Sequence, residues 1–315
     1  MTPTKPSKVH LPDNRGLQYA AQVIAQGGTV AVPTETVYGL AARADQDDAV
    51  AGIYRAKGRP DFNPLIVHVP DVTAAQAYAV FDHRALALAK AFWPGALTMV
   101  LPRRSDANLA AAVSAGLPTV ALRCPAHPVM QALLKTCGLP LAAPSANRSG
   151  GVSPTSAAHV AASLGDRVDV ILDGGETQRG IESTIVGLRE DGTWALLRPG
   201  PIAEAEIAAV LGAGSTAVHS KQIEAPGQLA SHYAPGKPVR LNAEAARAGE
   251  FLIGFGAVSG QVSLSASGDL AEAAARLYAC LHLGADAPET LIAVAPVPDE
   301  GIGAAINDRL RRAAA

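Results

Sequence analysis

Apolar residues along this chain fall into two patterns, and their alternation predicts an α/β fold. Short continuous apolar runs are typical of buried strands, and runs whose apolar residues recur every three or four positions are typical of helices. Predicted strands lie at 29–33, 65–69, 97–101, 119–122, 141–143 and 168–172, followed by a strand pair at 183–187 and 194–198 around a tight turn. Predicted helices lie at 17–26, 49–56, 85–92, 129–137 and 157–164.

The alternation stops and then resumes, which divides the chain into segments. We expect a flexible N-terminus over 1–14, a first domain over 15–212, a linker over 213–237 and a smaller α/β domain over 238–315. The last segment contains predicted strands at 251–255, 262–264 and 291–294 and predicted helices at 269–283 and 302–312. Leu270, Ala273, Leu277 and Leu281 recur at helical spacing, which predicts a buried stripe on the first of these helices.

Composition and charge exclude several classes of protein. The formal charge is −2, from 26 basic and 28 acidic residues, and aromatic residues make up 4% of the chain. Tight nucleic-acid binding depends on a basic surface with interleaved aromatic side chains, so we do not expect it here. No run reaches the roughly 18 apolar residues of a membrane span, and the proline-containing N-terminus lacks the pattern of a secretory signal. We therefore expect a cytoplasmic protein.

The three cysteines give no sign of a metal site. Cys124, Cys137 and Cys280 are widely spaced and form no CxxC pair, so we interpret them as reduced thiols. We predict no metal site built from protein side chains.

Two polar segments lie where predicted elements end, which is where α/β proteins commonly bind ligands. Lys57-Gly58-Arg59 follows a predicted helix, and its cations suit phosphate oxygens. Ser145-Ala146-Asn147 follows the strand at 141–143 and offers donors for phosphate or ribose oxygens. Taken alone, each segment is more typical of a solvated loop or an ordinary turn. Neither a P-loop nor a GxGxxG fingerprint occurs, so a nucleotide site must rest on other motifs.

Several segments, taken in order, resemble the YrdC-like family, whose full-length members are threonylcarbamoyl-AMP synthases. The entry motif is matched almost letter for letter by Val32-Pro33-Thr34-Glu35-Thr36-Val37-Tyr38-Gly39-Leu40. Later motifs follow at Lys57-Gly58-Arg59, Asn63-Pro64-Leu65-Ile66-Val67-His68, Ser145-Ala146-Asn147, Glu182-Ser183-Thr184-Ile185-Val186 and Arg198-Pro199-Gly200. The long two-domain form is resembled by Ser231-His232-Tyr233-Ala234-Pro235 and Ala304-Ala305-Ile306-Asn307-Asp308-Arg309-Leu310.

This resemblance implies both a fold and an activity. The first domain would be a YrdC-like twisted open sheet with flanking helices, and the second a smaller Rossmann-like α/β domain. The activity would be synthesis of L-threonylcarbamoyladenylate from L-threonine, bicarbonate and ATP, with Mg²⁺ accompanying ATP and pyrophosphate released. That reaction would begin N6-threonylcarbamoyladenosine formation in tRNAs that read codons starting with A, with possible hand-over to a tRNA threonylcarbamoyl transferase complex.

The resemblance also assigns residues. It places Thr36, His68, Arg123 and Ser183 on L-threonine. It places Arg59, Asn63, Thr119, Ala143, Ser145, Asn147, Ser153, Arg198 and Tyr233 on ATP. Lys57 and Arg59 would be catalytic, stabilising charge on the phosphate oxygens.

Three interpretations stay open at the level of sequence. Arg123 would hold the carboxylate of the amino acid with a bidentate fork, or form a structural salt bridge. His68 would act as a base for the ammonium group, or only donate and accept hydrogen bonds. The linker around Tyr233 would be a lid over the active site, which we expect, or a disordered spacer.

Two other functions compete with the synthase. A nucleic-acid-binding module would use the concave face of a YrdC-like domain, but the near-neutral charge argues against it. A carbamoyl-adenylate enzyme of the hydrogenase-maturation type would share the nucleotide motifs, but that class carries zinc-finger-like and acylphosphatase-like segments that this chain lacks.

Overall fold

The computed structural model describes residues 8–59, 63–212, 224–227 and 232–315, and within them the chain forms two sheets. The first sheet has ten strands in the order β1-β8-β2-β3-β7-β4-β6-β5-β9-β10. In chain order these are β1 Val9–His10, β2 Val30–Pro33, β3 Tyr38–Arg43, β4 Ile66–His68, β5 Leu97–Pro102, β6 Thr119–Arg123, β7 Leu141–Ala142, β8 Val170–Leu172, β9 Thr184–Leu188 and β10 Trp194–Arg198.

Helices cover this sheet and end at the signals visible in the sequence. Their bounds are α1 Asn14–Ala25, α2 Asp47–Lys57, α3 Val72–Ala75, α4 His83–Phe92, α5 Ala111–Ser114, α6 Pro128–Cys137, α7 Ala157–Leu164 and α8 Glu204–Leu211. The side chains of Asp13 and Asp82 cap the first turns of α1 and α4, and Gly58 and Gly138 end α2 and α6 in the left-handed conformation.

The sheet is mixed, and β4 and β6 are one of its parallel pairs. The carboxyl ends of these two strands lie at the site described below. In that pair His68 lies opposite Arg123 at the carboxyl ends of both strands. β7 pairs antiparallel with β4 and β3, so the chain leaving β7 enters the same region. The strand pair β9–β10 is antiparallel, as the turn between them predicts.

The second sheet is parallel throughout, in the order β11-β14-β12-β13. Its elements are β11 Val239–Arg240, β12 Glu250–Gly254, β13 Val262–Ser263, α9 Leu270–Asp286, β14 Leu291–Val294 and α10 Ile302–Ala313. Ala273, Leu277 and Leu281 of α9 are fully buried, which confirms most of the predicted stripe. The predicted fold class, a large α/β sheet with a smaller parallel α/β domain, is confirmed.

The two domains share a hydrophobic core. Val37, Val152 and Ile181 of the first domain belong to the same buried cluster as the inner faces of α9 and α10. Gly180 permits this close approach, because a Cβ there would lie 2.3 Å from the Ala275 carbonyl oxygen of α9. The smaller domain is therefore packed against the first rather than tethered beside it.

The structure corrects the predicted N-terminus and adds elements that the sequence patterns missed. Val9 and His10 form β1 and pair with β8, so residues 8–14 join the first domain, whereas a flexible segment was predicted over 1–14. The strand β3 was not predicted, because Gly39, Ala41 and Ala42 make up half of its six residues and have low strand propensity. Residues 213–223 and 228–231 of the predicted linker lie outside the described residues.

Within the described ranges, no helix combines the length and the apolar character that crossing a bilayer requires.

Candidate active site

A polar cavity opens where the ends of β4, β6 and β7 meet the linker. It encloses about 500 Å³, counting its open mouth. Nine of the predicted site residues line it: Thr36, Arg59, His68, Arg123, Ala143, Ser145, Ser183, Arg198 and Tyr233. Residues that are far apart in sequence therefore meet in one place, because the sheet brings its strand ends together.

Arg123 lies at the floor of the cavity in a buried ion pair. Its Nη2 donates to Glu35 Oε1 at 2.6 Å, its Nη1 to Thr36 Oγ1 at 2.9 Å and its Nε to the Gly95 carbonyl oxygen at 3.2 Å. Both interpretations of Arg123 thus have a structural basis: a salt bridge is present, and the guanidinium also lines the cavity. These contacts use one N–H of each nitrogen, so each terminal nitrogen has a second N–H that they do not use.

Glu35 is held ionised despite its burial. Burial alone would raise the pKa of Glu35, but the Arg123 guanidinium overcomes this and lowers the pKa below its usual 4.5. Its second carboxylate oxygen accepts a hydrogen bond from the Ala126 backbone N–H at 3.0 Å. The carboxylate thereby fixes the plane of the guanidinium.

His68 is buried beside this ion pair and is neutral. Burial, followed by the positive charge of Arg123, lowers the pKa of His68 to about 3. Its Nδ1 is buried and has no hydrogen-bond partner among the described residues. An imidazole with so low a pKa is a weak base for an ammonium group. The low pKa therefore favours the hydrogen-bonding interpretation of His68 over its role as a base.

Arg198 and Ser183 form the wall opposite. Arg198 donates from Nε to the Ser183 carbonyl oxygen and from Nη2 to Ser183 Oγ, both at 3.0 Å. The Ser183 hydroxyl also lies 2.8 Å from Thr98 Oγ1. The residue predicted to contact threonine is therefore bonded to one predicted to contact ATP, which places the two predicted subsites side by side.

Arg59 adds a second cation near Arg198. Its Nε and Nη2 donate to the carbonyl oxygens of Asn63 and Pro64 at 3.3 and 3.0 Å. Burial lowers the pKa of Arg59 to about 10, which leaves the guanidinium charged at neutral pH. Arg59, Arg123 and Arg198 give the cavity a positive lining, suited to carboxylate and phosphate.

Lys57 lies behind the cavity and does not line it. Its Nζ donates to the carbonyl oxygens of Ser145 and Asn147 at 2.6 and 2.5 Å, and Asn147 Oδ1 lies 3.4 Å away. Burial, followed by the charge of Arg59, lowers the pKa of Lys57 well below its usual 10.5. The structure thus shows Lys57 bracing the turn after β7, and its catalytic place beside the phosphates stays a prediction.

Asn147, Asn63, Ser153 and Thr119 also do not line the cavity. Asn147 accepts a hydrogen bond from Ser145 Oγ at 2.5 Å and so supports a lining residue. Asn63 is buried with its Oδ1 unpartnered among the described residues, and Ser153 Oγ donates to Glu182 at 2.6 Å. Thr119 begins β6, four residues before Arg123, at the opposite end of that strand.

Glu182 is a cavity residue that the sequence analysis quoted within a motif but did not assign to the site. Its carboxylate accepts hydrogen bonds from Ser153, from Tyr278 Oη at 2.7 Å and from Arg309 Nε at 3.1 Å. Burial would raise its pKa, but Arg309 and then Arg198 lower the pKa of Glu182 to about 2. Two of these partners belong to the second domain, which sequence alone could not place here.

The described part of the linker covers the cavity mouth. Ala234 N–H donates to the Gly150 carbonyl oxygen at 2.8 Å, and His232 N–H to the Arg312 carbonyl oxygen at 3.2 Å. Tyr233 between them is 1% exposed and has a positive φ of 65°. Such a conformation costs of order 1–3 kcal/mol in a bulky residue and persists only where the surroundings impose it.

Among the described residues, no group of three or more His, Cys, Asp or Glu side chains is placed to hold a metal ion. The lining carboxylate of Glu182 is engaged by three donors.

Fold and site together define a two-domain α/β protein with a cavity lined by three guanidinium groups. The family model described as "Telomere recombination" matches residues 22–200, and "Threonylcarbamoyl-AMP synthase, C-terminal domain" matches residues 202–315. The chain belongs to the threonylcarbamoyl-AMP synthase family and is an enzyme of that kind.

Individual relatives support this membership. The threonylcarbamoyl-AMP synthase of Bacillus subtilis is 41% identical over 94% of this chain and 92% of its own length. That of Pyrococcus abyssi is 38% identical over 94% and 93%. The crystal structure of P. abyssi Sua5 complexed with L-threonine superposes with a TM-score of 0.86 at 36% identity, covering 95% of this chain and 94% of that one.

Proposed function

We propose that the protein condenses L-threonine, bicarbonate and ATP into L-threonylcarbamoyladenylate and releases pyrophosphate. The observation that carries this proposal is the single cavity in which Arg123, His68 and Thr36 lie beside Arg59 and Arg198. One side suits an amino acid and the other a polyphosphate, as the reaction requires. The relatives named threonylcarbamoyl-AMP synthase and the structure with L-threonine support the same substrates.

Arg123 holds the threonine carboxylate. Its two unused N–H groups form a fork, and Glu35 keeps that fork in plane from behind. The unpartnered Nδ1 of His68 accepts or donates a hydrogen bond to the amine or the hydroxyl of the substrate, while the imidazole remains neutral. The Thr36 and Ser183 hydroxyls complete a small polar pocket.

The chemistry proceeds in two steps. The free amine of threonine and bicarbonate form a carbamate and water. The carbamate oxygen then attacks the α-phosphorus of ATP, and pyrophosphate leaves as the P–O bond to the β-phosphate breaks. Negative charge grows on phosphate oxygens during the second step, and the guanidinium groups of Arg59 and Arg198 are positioned to stabilise it. Mg²⁺ entering with ATP would supply further neutralisation of this charge.

The linker protects the intermediates. Carbamates and mixed anhydrides are lost to water, so exclusion of solvent raises the yield of product. Tyr233 and His232 lie over the cavity and have the position of a lid. Pro226 and Gly227 of the linker also line the cavity.

The biological setting follows from the product. We place the reaction in the cytoplasm, as the first step of N6-threonylcarbamoyladenosine formation in tRNAs reading codons that start with A. The adenylate passes to a tRNA threonylcarbamoyl transferase complex. The near-neutral charge supports hand-over of product rather than tight binding of tRNA by this chain.

Pyrophosphate release tests the proposal. The enzyme is incubated with ATP, Mg²⁺ and bicarbonate, and each amino acid is added in turn. We expect a high rate of pyrophosphate release only with L-threonine. With serine, kcat/KM should be about 10- to 200-fold lower, because one methyl group in a fitted pocket contributes about 1–3 kcal/mol. Equal turnover of serine and threonine would contradict a threonine-shaped pocket, and release without any amino acid would contradict the reaction.

A further inference from the structure

Arg309 is a charged residue of the C-terminal helix α10 and lies at the boundary between the two domains. Its side chain is fully buried, and its Nη1 donates to the Pro199 carbonyl oxygen at 2.7 Å and to Asp308 at 3.0 Å. Pro199 directly follows Arg198, which lines the cavity. A residue of the second domain is therefore bonded to the backbone that carries a residue of the active site.

The same guanidinium reaches the cavity through Glu182. Arg309 Nε and Tyr278 Oη donate to one oxygen of the Glu182 carboxylate, and Ser153 Oγ donates to the other. Glu182 lines the cavity and precedes Ser183 in the chain. Arg309 and Tyr278 both come from the second domain, so half of this network arrives from outside the first domain.

The second domain also supports the linker tyrosine. The Tyr233 ring stacks on Tyr278 with centroids 5.5 Å apart, and the Arg309 guanidinium carbon lies 5.7 Å from the Tyr233 centroid. These contacts hold a ring whose backbone has a positive φ. They add to the hydrogen bond from the His232 N–H to the Arg312 carbonyl oxygen, so the second domain supports this part of the linker at several points.

We propose that Arg309 is a positioning residue for adenylate formation: it fixes the Glu182 carboxylate and the Tyr233 ring, so the C-terminal domain forms part of the catalytic apparatus. The proposal rests on the proposed function. It adds that the C-terminal domain helps to assemble the side of the cavity that takes ATP.

The charge of Arg309 acts on the ionisation of Glu182. The proposal therefore predicts a dependence on pH that a merely structural role of Arg309 would not produce. Glu182 is faced by Arg309 of α10, Tyr278 of α9, Arg198 of β10, Lys57 of α2, and His232 and Tyr233 of the linker, and Asp308 of α10 is paired with Arg309. Burial acts to raise the pKa of Glu182, and Arg309 is the strongest influence against it. If Arg309 is removed, that pKa rises, and Glu182 becomes protonated as the pH falls from neutral.

The test compares Arg309→Gln and Arg309→Lys with Arg311→Gln, which removes an exposed arginine of the same helix. Steady-state pyrophosphate release is measured against ATP and against threonine from pH 5.5 to 8.5. We expect Arg309→Gln to raise KM for ATP at least tenfold, with a smaller change in KM for threonine. We also expect a new loss of kcat/KM toward acid pH. Arg309→Lys should recover part of the loss, and Arg311→Gln should stay within twofold of wild type.

A second comparison asks whether Arg309 acts through Glu182. The double variant Arg309→Gln/Glu182→Gln should lose less kcat/KM for ATP than the product of the two single losses, because Arg309 acts in part through the Glu182 carboxylate and in part through Tyr233. Multiplicative losses in the double variant, or wild-type kinetics and pH profile in Arg309→Gln, would overturn the proposal. Failure of the wild-type enzyme to release pyrophosphate with threonine would instead count against the proposed function.

Circular dichroism and thermal melting establish whether Arg309→Gln folds. If it does not, Tyr278→Phe removes a hydrogen bond to the same Glu182 oxygen without changing any charge. We then expect a raised KM for ATP and a weaker version of the acid loss in Tyr278→Phe, and wild-type values for both in that variant would overturn the proposal.

Discussion

At the scale of single residues, the site depends on charged side chains that are paired with other groups of the protein. The Arg123 guanidinium donates hydrogen bonds to Glu35 and Thr36, and it also lines the cavity. A buried carboxylate behind an arginine restricts the guanidinium to one plane, and bidentate recognition of a substrate carboxylate depends on that plane.

Replacing Glu35 by Gln should therefore weaken threonine binding more than turnover. Loss of a charge-assisted hydrogen bond contributes about 1.5–3 kcal/mol, so we expect KM for threonine to rise about 10- to 150-fold with a smaller change in kcat. Glu250→Gln, which breaks a comparable pair with Arg240 in the second domain, is the matched control. The role of Glu35 would be wrong if both variants changed KM for threonine equally.

His68 provides a direct check on the electrostatics of the cavity. Because burial and Arg123 lower its pKa to about 3, the imidazole should remain neutral from pH 7.5 to 5. Its ¹⁵N chemical shifts, assigned by comparison with His68→Gln, should stay constant over that range. A midpoint for His68 near 6.5 would show that it can carry a proton in the reaction.

At the scale of elements, the turn after β7 depends on the end of α2. Lys57 in the last turn of that helix donates to the carbonyl oxygens of Ser145 and Asn147, so the end of the helix is bonded directly to the turn. A buried ammonium bonded to three oxygens leaves unsatisfied acceptors when it is removed.

Lys57→Met should accordingly lower kcat/KM for ATP at least tenfold, through displacement of Ser145, and also lower the melting temperature. Lys90→Met, at the exposed end of α4, removes the same charge from a helix end and should change neither property. Wild-type kinetics in Lys57→Met would show that the turn holds its shape without the lysine.

The elements also show what the sequence could predict. Helices such as α7 and strands such as β14 have the predicted bounds, since their periodicity and flanking breakers are local properties. The strand β3 was missed because its small residues Gly39, Ala41 and Ala42 have low strand propensity, and only its pairing with β2 and β7 makes it a strand. Glu182 was not assigned to the site because its partners Tyr278 and Arg309 lie about 100 positions or more away in sequence and meet it only through domain packing.

At the scale of the whole molecule, several imidazoles are buried neutral, and this sets how stability depends on pH. Burial lowers the pKa of His68 to about 3 and that of His232 and His282 to about 4. In the unfolded chain each would bind a proton near pH 6.5, whereas in the folded chain each binds one only near its lowered pKa. Their contribution to stability is therefore complete above pH 6.5 and is lost as the pH falls below it.

Urea denaturation from pH 7.5 to 5 should show this loss. Below pH 6.5 each buried imidazole contributes a slope of up to about 1.4 kcal/mol per pH unit in the free energy of unfolding. His282→Asn, which removes the ring stacked at 3.9 Å on His159 across the domain boundary, should make the slope shallower. A free energy of unfolding that stayed constant or rose toward pH 5 would contradict the buried neutral state.

The joint use of threonine, bicarbonate and ATP in one cavity is tested most directly by following the carbon of bicarbonate into the product. The wild-type enzyme is incubated with ¹³C-bicarbonate, L-threonine, ATP and Mg²⁺, and the adenylate is analysed by mass spectrometry while pyrophosphate is counted. We expect one ¹³C in each threonylcarbamoyladenylate, one pyrophosphate for each adenylate, and neither product when threonine is omitted. An unlabelled threonyl adenylate, or pyrophosphate formed without threonine, would contradict the reaction assigned to this cavity.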